Sequence, residues 1–232
     1  NGAITVPAEA DEAISKGRCD MVAIGRALIA DPYWPSKAKA GKAVTPCIRF
    51  NVCHHQLWLG TPLCCSMNPN VLHESPQDLS TPGRKKNVMI IGSGPAGMRC
   101  AITASKRGHD VTIYEKKSYI GGMMYPGSRP AFKEDVARAL NWFKLELEEN
   151  NVTVKLNTEV TYEMVEKIAP DALVIDIGAD PIIPDVSGIE KPHVDFAVNI
   201  LADISKYKGT KAVVIGGGDV GCETACYLAD NG

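Results

Sequence analysis

Apolar positions recur along most of this chain with the spacings of buried strands and of one-sided helices. Five short apolar runs are typical of buried strands: 87–91, 110–115, 152–156, 172–177 and 212–215. Three longer stretches between them carry the apolar stripe of a helix: 94–107, 132–150 and 161–168. This alternation of strands and helices predicts an α/β fold with a largely parallel sheet.

The first 82 residues follow a different pattern. A helix is expected over residues 6–17, a short buried strand over 19–25, and a helical stretch broken by prolines over 26–42. Residues 43–82 show no periodicity and contain five prolines, so they are expected to be irregular and held by something other than a core. The expected boundaries divide the chain into four parts: 1–42, 43–83, 84–207 and 208–232.

Composition argues against a nucleic-acid-binding protein, a membrane protein and a disulfide-rich protein. The 232 residues are 45% hydrophobic with a net charge of -2, and no long run of one sign suggests a nucleic-acid partner. No apolar stretch reaches the length of a membrane span and no signal peptide opens the chain, so we expect no membrane partner and a cytoplasmic location. Eight cysteines are too sparse for a disulfide scaffold, but four lie within residues 47–65, as in a metal or cluster site.

A glycine-rich loop, VMIIGSGPAGMRCA, spans residues 88–101. Gly92 suits a tight turn, Gly94 lets the backbone approach a pyrophosphate, and Gly97 lets the following helix pack on the strand. The helix N-terminus, with Pro95 and Ala96, offers N–H groups and a positive dipole end to phosphates. Glu115, at the end of the next strand, is expected to accept the ribose hydroxyls and to disfavour a 2′-phosphate. We therefore predict a Rossmann-like, three-layer domain that binds a dinucleotide.

Further residues favour FAD at this loop. Small residues at Gly121 and Gly122, followed by Met123, would allow a flavin to approach the backbone closely. Segment 176–181 resembles the Ala-Thr-Gly-Ala-x-Pro segment that flavoprotein reductases place against FAD, although Asp176 and Ile177 depart from it. Twelve residues are predicted to bind FAD: Gly92, Gly94, Pro95, Ala96, Gly97, Glu115, Lys116, Gly122, Met123, Val160, Gly178 and Ala179.

A second loop of the same type, AVVIGGGDVGCETA, spans residues 212–225. In flavoprotein reductases such a loop binds NADH or NADPH, and the alternative is a structural turn that binds nothing. The residues predicted to bind the nicotinamide nucleotide are Gly216, Gly218, Asp219, Val220 and Gly221. Asp219 and Val220 are expected at the start of a helix. A complete nucleotide unit needs about 30 residues of strand, helix and strand, so the chain is expected to be part of a longer protein.

The cysteine segment has iron–sulfur spacing with one exception. Cys47 and Cys53 occupy the outer positions of a C-x2-C-x2-C pattern, Phe50 occupies the middle one, and Cys65 is the distant fourth position. Phenylalanine cannot bind iron. Cys64, His54 or His55 could therefore replace the missing ligand, the cluster could be labile with three ligands, or it could be lost. A zinc site built from the same residues is a further alternative, although the spacing is not that of a zinc finger.

The cysteine segment, both glycine loops and the opening stretch resemble 2,4-dienoyl-CoA reductase, enoate reductase and trimethylamine dehydrogenase, which are old-yellow-enzyme-type flavoproteins. Their pattern is Cys-Ile-x-Cys-Asn-x-x-Cys or Cys-Ile-x-Cys-Asn-x-Cys, then a cysteine about a dozen residues on, followed shortly by Asn-Pro or a similar pair. The positions that match are Cys47, Ile48, Asn51, Cys53, Cys65, Asn68 and Pro69. The resemblance implies a 4Fe-4S cluster whose candidate ligands here are Cys47, Cys53, Cys65 and Cys64.

The same resemblance assigns residues 1–42 to the last strand–helix part of an FMN-binding TIM barrel. Gly2, Gly25 and Arg26 would then lie at the FMN phosphate, since phosphate sites after the last two strands are frequent in this barrel. Residues 84–207 would be the FAD domain, and residues 208–232 the start of an NAD(P) domain.

The function implied is electron transfer from NAD(P)H through FAD and the cluster to FMN, which reduces an activated C=C bond of an enoate or 2,4-dienoyl-CoA substrate. An amine dehydrogenase of the trimethylamine dehydrogenase type is the alternative within this family. The catalytic residues would lie upstream of Asn1.

Two other classes share parts of this pattern. A disulfide reductase of the thioredoxin or glutathione reductase type needs a cysteine pair near the flavin, and no cysteine occurs between Cys100 and Cys222. A non-catalytic FAD-binding module would retain the glycine loops without the electron chain.

Overall fold

The computed structural model describes residues 3–74, 83–209 and 211–232. The four strands are β1 Asn87–Ile91, β2 Asp110–Tyr114, β3 Thr153–Lys155 and β4 Ala172–Ile175. The first five helices are α1 Pro7–Ser15, α2 Arg26–Ala30, α3 Trp34–Lys39, α4 Val52–Trp58 and α5 Pro95–Lys106. The next five are α6 Met124–Gly127, α7 Glu134–Glu149, α8 Tyr162–Ile168, α9 Ala197–Ala202 and α10 Asp219–Asp230. Short 3-10 turns cover Ala131–Lys133 and Ile204–Lys206.

The sheet has four strands in the order β3-β2-β1-β4, and all its pairings are parallel. Asn87 pairs with Asp110 on one side of β1, and Val88 pairs with Ala172 on the other. The chain therefore changes direction across the sheet between β1 and β4, where open parallel sheets bind their ligands. The predicted α/β, Rossmann-like fold is confirmed. The bounds of β1 match the prediction, and those of the other three strands differ from it by at most two residues at either end.

The core lies between the sheet and two long helices. Helix α5 packs on β1 and β2, and α7 packs on α5. Ile90 of β1, Ile113 of β2 and Met98 of α5 are completely buried. The apolar stripe predicted for residues 132–150 forms α7, but Phe132 lies in the preceding 3-10 turn and is exposed. Pro130 precedes this turn with an extended backbone, and the α-helix begins after the turn, at Glu134.

Two predictions for the N-terminal part were wrong. Residues 19–25 do not form a strand, since no strand lies beside them in the part of the chain that the structure describes. Val22 and Ile24 are only partly buried, against the small core of Ala10, Ala27, Trp34 and Val44. The segment predicted to be irregular contains α4, which forms where no proline interrupts residues 47–61. The rest of its described residues are irregular, as expected.

The strand predicted over residues 212–215 is also absent. The segment is extended but unpaired, with Val213 91% and Ile215 87% exposed. A strand needs a hydrogen-bonded neighbour, and none of the described strands runs beside this segment. Helix α10 nevertheless begins at the predicted position after Gly218 and packs against α9.

No helix among the described residues combines the length and the apolar character that crossing a membrane requires.

Candidate functional site

The first glycine loop turns at the end of β1, directly beside the end of β4. Gly92 has φ +101°, and its N–H donates to the Tyr114 carbonyl at 2.8 Å. A Cβ on Gly92 would lie 1.9 Å from the Asp176 carbonyl oxygen. Only glycine can therefore occupy this position, because both the backbone angle and the neighbouring strand exclude a side chain.

Helix α5 starts within this loop. Gly94 is its N-cap and Pro95 its first residue, a position where the missing N–H of proline costs nothing. Gly97 packs so closely that a Cβ would meet the Gly92 carbonyl oxygen at 2.5 Å. Its N–H donates to Oδ2 of Asp176 at 2.6 Å. The predicted FAD residues Pro95 and Ala96 lie exposed at the start of the helix.

Glu115 is buried at the end of β2, and its carboxylate is held by the protein itself. Oε2 accepts hydrogen bonds from the backbone N–H and the hydroxyl of Ser93, at 3.0 and 2.7 Å, and Oε1 accepts from the Lys117 N–H at 2.9 Å. The carboxylate thus joins the glycine loop to the end of β2. Sequence reasoning missed Ser93, although a hydroxyl between the first two glycines was the available signal.

Two more predicted segments lie near the loop. Gly121 donates to the Ser93 carbonyl at 2.9 Å, and a Cβ on Gly122 would lie 3.2 Å from the Gly94 Cα. Val160 follows Thr158, whose N–H donates to the Glu115 carbonyl at 2.8 Å. The structure therefore brings Gly122 and the Val160 segment to the first loop.

The remaining predicted FAD residues are more open. Lys116, Met123, Gly178 and Ala179 are exposed. Gly178 and Ala179 follow Asp176, so they continue from the end of β4 beside the loop. A cavity of about 520 Å³ is lined by Lys117, Tyr119, Met123, Asp180 and Pro181, among others. Among the described residues, Met123 is the one predicted FAD residue that lines this cavity, and no residue of the first glycine loop lines it.

The second glycine loop has the same local geometry. Gly216 has φ +113°, Gly218 is the N-cap of α10, and a Cβ on Gly221 would lie 2.0 Å from the Gly216 carbonyl oxygen. The predicted ligands Asp219 and Val220 form the exposed first turn of α10.

Three of the cysteines are neighbours. Burial raises the pKa of the Cys47 thiol, and the nearby Cys65 and Cys53 raise this pKa further. Two groups lower it: the Arg49 N–H, which donates to the Cys47 sulfur, and the positive charge of Arg26. The Met67 N–H donates to the Cys65 sulfur at 3.4 Å. Cys53 is buried in α4.

The loop that carries Cys47 turns through two unusual residues. Arg49 and Asn51 both have left-handed backbones, with φ +55° and +58°. Nε of Arg49 is bonded to Asp135 of α7 at 2.5 Å. Phe50, between them, is 61% exposed. The loop therefore makes a tight turn and is attached to α7 through Arg49. Phe50 points away from the core.

The residues considered as substitutes for the missing ligand are placed differently. Cys64 is half-buried, whereas His54 and His55 are exposed on α4. Within the described ranges, no three His, Cys, Asp or Glu side chains are arranged to hold a metal ion.

Of the predicted FMN residues, Gly2 lies outside the described residues. Gly25 is the N-cap of α2, and Arg26 is its first residue. The Arg26 guanidinium donates to the Asn51 side-chain oxygen, which ties α2 to the cysteine loop.

Arg99 connects the first glycine loop's helix to the cysteine segment, and no sequence pattern pointed to it. It lies on α5, and its Nη2 donates to the Met67 carbonyl at 2.8 Å. Its guanidinium carbon lies 4.9 Å from the Trp142 ring centre and 5.5 Å from that of Phe143. Burial lowers the pKa of Arg99, and Glu146 and Cys65 counteract this.

Comparison with known proteins identifies the protein family. The family model described as pyridine nucleotide-disulphide oxidoreductase matches residues 86–232. The chain is 39% identical over 239 residues to an NADH oxidase of Thermoanaerobacter brockii, covering 100% of this chain and 37% of that protein. It is 35% identical over 234 residues to a cinnamate reductase of Clostridium sporogenes, covering 100% of this chain and 35% of that protein.

A solved structure agrees with these relatives. The complex of 2-naphthoyl-CoA reductase with 2-naphthoyl-CoA matches with a TM-score of 0.85 and 32% identity, over 97% of this chain and 35% of that one. The chain therefore spans little more than a third of the length of its relatives. The predicted resemblance to enoate and dienoyl-CoA reductase-like flavoenzymes is confirmed.

Proposed function

The chain belongs to the pyridine nucleotide-disulphide oxidoreductase family, and we propose that it delivers electrons within a flavoenzyme of the enoate and dienoyl-CoA reductase kind. The proposed route runs from NAD(P)H through FAD and a 4Fe-4S cluster to FMN, and the proposed final acceptor is an activated C=C bond. The names of the related cinnamate and 2-naphthoyl-CoA reductases support this substrate class. The observation that carries the proposal is a hydrogen bond from Arg99, on the helix that follows the first glycine loop, to the Met67 carbonyl in the cysteine segment.

The first glycine loop fits a dinucleotide. Gly92, Gly94 and Gly97 keep Cβ atoms out of the space at the start of α5, and the helix N-terminus favours an anion there. Ser93 and Glu115 hold the loop rigidly against β2. These residues would bind the pyrophosphate and orient the rest of FAD along the edge of the sheet towards Gly122. A bound flavin supplies the chemistry that accepts an electron pair as hydride and releases electrons singly.

Three cysteines of the segment are proposed to bind the iron–sulfur group: Cys47, Cys53 and Cys65. Cys47 and Cys65 each accept a backbone N–H two residues further on, from Arg49 and Met67, and Cys53 lies close to Cys47. Hydrogen bonds to the sulfurs are one of the means by which proteins hold such clusters and set their potential. Cys64, half-buried beside Cys65, is the proposed fourth ligand because Phe50 is exposed and cannot bind iron.

Arg99 joins these two sites through the backbone of one residue, Met67. Met67 donates its N–H to the Cys65 sulfur and accepts the Arg99 guanidinium at its carbonyl oxygen. Helix α5 begins at the flavin loop and carries Arg99, so the turn that holds Cys65 is attached to the helix that would bind the pyrophosphate. Arg99 and Met67 would thus attach the residues proposed to hold the cluster to the residues proposed to hold the flavin.

The two ends of the chain contribute to other sites. Gly216, Gly218, Asp219, Val220 and Gly221 are proposed to bind the nicotinamide nucleotide. Gly2, Gly25 and Arg26 are proposed to bind the FMN phosphate. The proposed boundaries of the corresponding parts remain residues 42, 83 and 207.

An anaerobic absorption spectrum with iron and sulfide analysis tests the proposal. The protein should show flavin bands together with a broad iron–sulfur absorption. In the full-length protein, NADH or NADPH should bleach the flavin. Cys65→Ser should lose iron and the broad absorption while keeping the flavin bands. Cys222→Ser on α10 is the matched control and should keep both.

Each alternative result removes a different part of the proposal. Flavin bands without iron in the unmodified protein would disprove the cluster and leave FAD. Absence of bound flavin after reconstitution with FAD would disprove the electron chain as a whole.

A further inference from the structure

We propose that Asp176 competes with the FAD pyrophosphate for the N-terminus of α5 and thereby keeps FAD dissociable. This inference rests on the proposed FAD site, and it concerns a residue at which the chain departs from the Ala-Thr-Gly-Ala-x-Pro segment of flavoprotein reductases.

Asp176 lies at the position where the sheet offers a ligand site. Its N–H donates to the Ile91 carbonyl at 2.8 Å, which extends the pairing of β4 with β1 by one residue. Its side chain consequently projects from the end of β4 towards the glycine loop that ends β1. This is the point between β1 and β4 at which the strand order reverses and at which open parallel sheets bind nucleotides.

The carboxylate occupies the space that two glycines leave open. Oδ2 accepts the Gly97 N–H at 2.6 Å. The same oxygen lies 3.0 Å from the place of a Cβ on Gly94 and 2.8 Å from that of a Cβ on Gly97. The glycines of the loop, which are expected to admit a phosphate, therefore already have a negatively charged group beside them.

A carboxylate and a phosphate bind to a helix N-terminus through the same interactions. Both are stabilised by free N–H groups and by the positive end of the dipole. Pro95 has no N–H, and Met98 donates to the Gly94 carbonyl, so Ala96 and Gly97 supply the donors of the first turn. Asp176 uses one of these two donors and adds a negative charge that repels the pyrophosphate at short range.

The second glycine loop indicates that the turn itself does not need such a carboxylate. Gly221 corresponds to Gly97, and the atoms nearest to a Cβ at that position are backbone atoms of Gly216 and the Val214 side chain. The two loops nevertheless have the same positive φ at their first glycine. Asp176 is therefore an addition to the first loop, and its effect is expected on binding of the anion.

The test is titration of FAD-free protein with FAD, followed by flavin fluorescence at low and at high salt. Asp176→Asn keeps an oxygen that can accept the Gly97 N–H but removes the charge, and Asp176→Ala removes both. Each variant should bind FAD about tenfold more tightly than the unmodified protein at low salt, since one close like-charge repulsion is lost. The gain should shrink at high salt because salt screens the repulsion that remains accessible to solvent.

Asp185→Asn is the matched control, because Asp185 is exposed in the same segment beyond β4. It should leave the dissociation constant for FAD unchanged. Equal or weaker binding by Asp176→Asn, with an unchanged melting temperature, would overturn the proposal and make Asp176 neutral or supportive. No FAD binding by any of the four proteins would instead disprove the FAD site itself.

Discussion

The two glycine loops have nearly the same local sequence and very different surroundings. Each turns at a glycine with φ above +100°, and each packs its third glycine against the carbonyl of its first. Each also begins a helix of 12 residues, α5 or α10. The segment before the first loop is a strand paired on both sides, whereas residues 212–215 before the second are unpaired and exposed.

This difference in the preceding strand shows which part of the glycine-loop motif depends only on residues near it in sequence. A turn at glycine and the helix after it depend on backbone angles and on contacts within about ten residues, so both loops form them. A strand depends on hydrogen bonds to other segments, so only β1, which lies between β2 and β4, becomes one. The predictions below compare the same change in each loop.

The largest difference is expected for alanine at the first glycine of each loop. Gly92→Ala should lower the free energy of unfolding by more than about 4 kcal/mol, which is a large effect for a single substitution. The reason is that its Cβ would lie 1.9 Å from the Asp176 carbonyl oxygen. Gly216→Ala should cost only about 1–2 kcal/mol from its left-handed backbone, because no atom lies within 4 Å of its Cβ position. Urea unfolding measures both, and equal losses would show that the neighbouring strand does not matter.

A smaller difference is expected for isoleucine in the segments before the two turns. Ile90→Ala should lower the free energy of unfolding by about 2–5 kcal/mol, since Ile90 is fully buried. Ile215→Ala should change it by no more than about 0.5 kcal/mol, since Ile215 lies in solvent. A substantial loss from Ile215→Ala would mean that residues 212–215 are covered in solution, which would remove the contrast between the loops.

The smallest effect concerns the connection between the loops, where Tyr207 donates its hydroxyl to Asp195. This hydrogen bond raises the pKa of Tyr207 to about 12. The neutral phenol is favoured in the folded state, so the stabilisation is complete below the unfolded pKa of about 10. It is lost as the pH rises through the folded pKa of Tyr207.

Ultraviolet absorbance against pH should therefore show one late tyrosine. Asp195→Asn should bring its titration back towards the ordinary range. Tyr162→Phe, which removes an exposed tyrosine, should leave the late step in place. A late step that persists in Asp195→Asn would disprove the assignment to this pair.

Sequence reasoning was most successful where local rules decide. The bounds of β1 were predicted to the residue, and the start of α10 after Gly218 was predicted as well. It failed for residues 19–25 and 212–215, whose apolar runs are correct for strands but have no partner beside them in the described structure. It also missed α4, because scattered prolines hid a short proline-free stretch.

The candidate site divides in the same way. The glycines, Glu115 and the cysteine spacing were recognisable from the sequence, since their types and intervals carry the chemistry. Ser93 and Arg99 were not, because their roles arise from partners distant in sequence, such as Glu115 and Met67.

By itself, the sequence determined the two nucleotide turns, the helices that follow them and the parallel α/β order, because glycine angles, helix starts and apolar periodicity act over short distances. The tertiary structure alone decided which apolar segments became strands and which residues meet at the first loop. It placed Asp176 against Gly97 and attached the cysteine turn to α5 through Arg99. These outcomes depend on pairing and packing between segments far apart in the chain, and no local pattern contains that information.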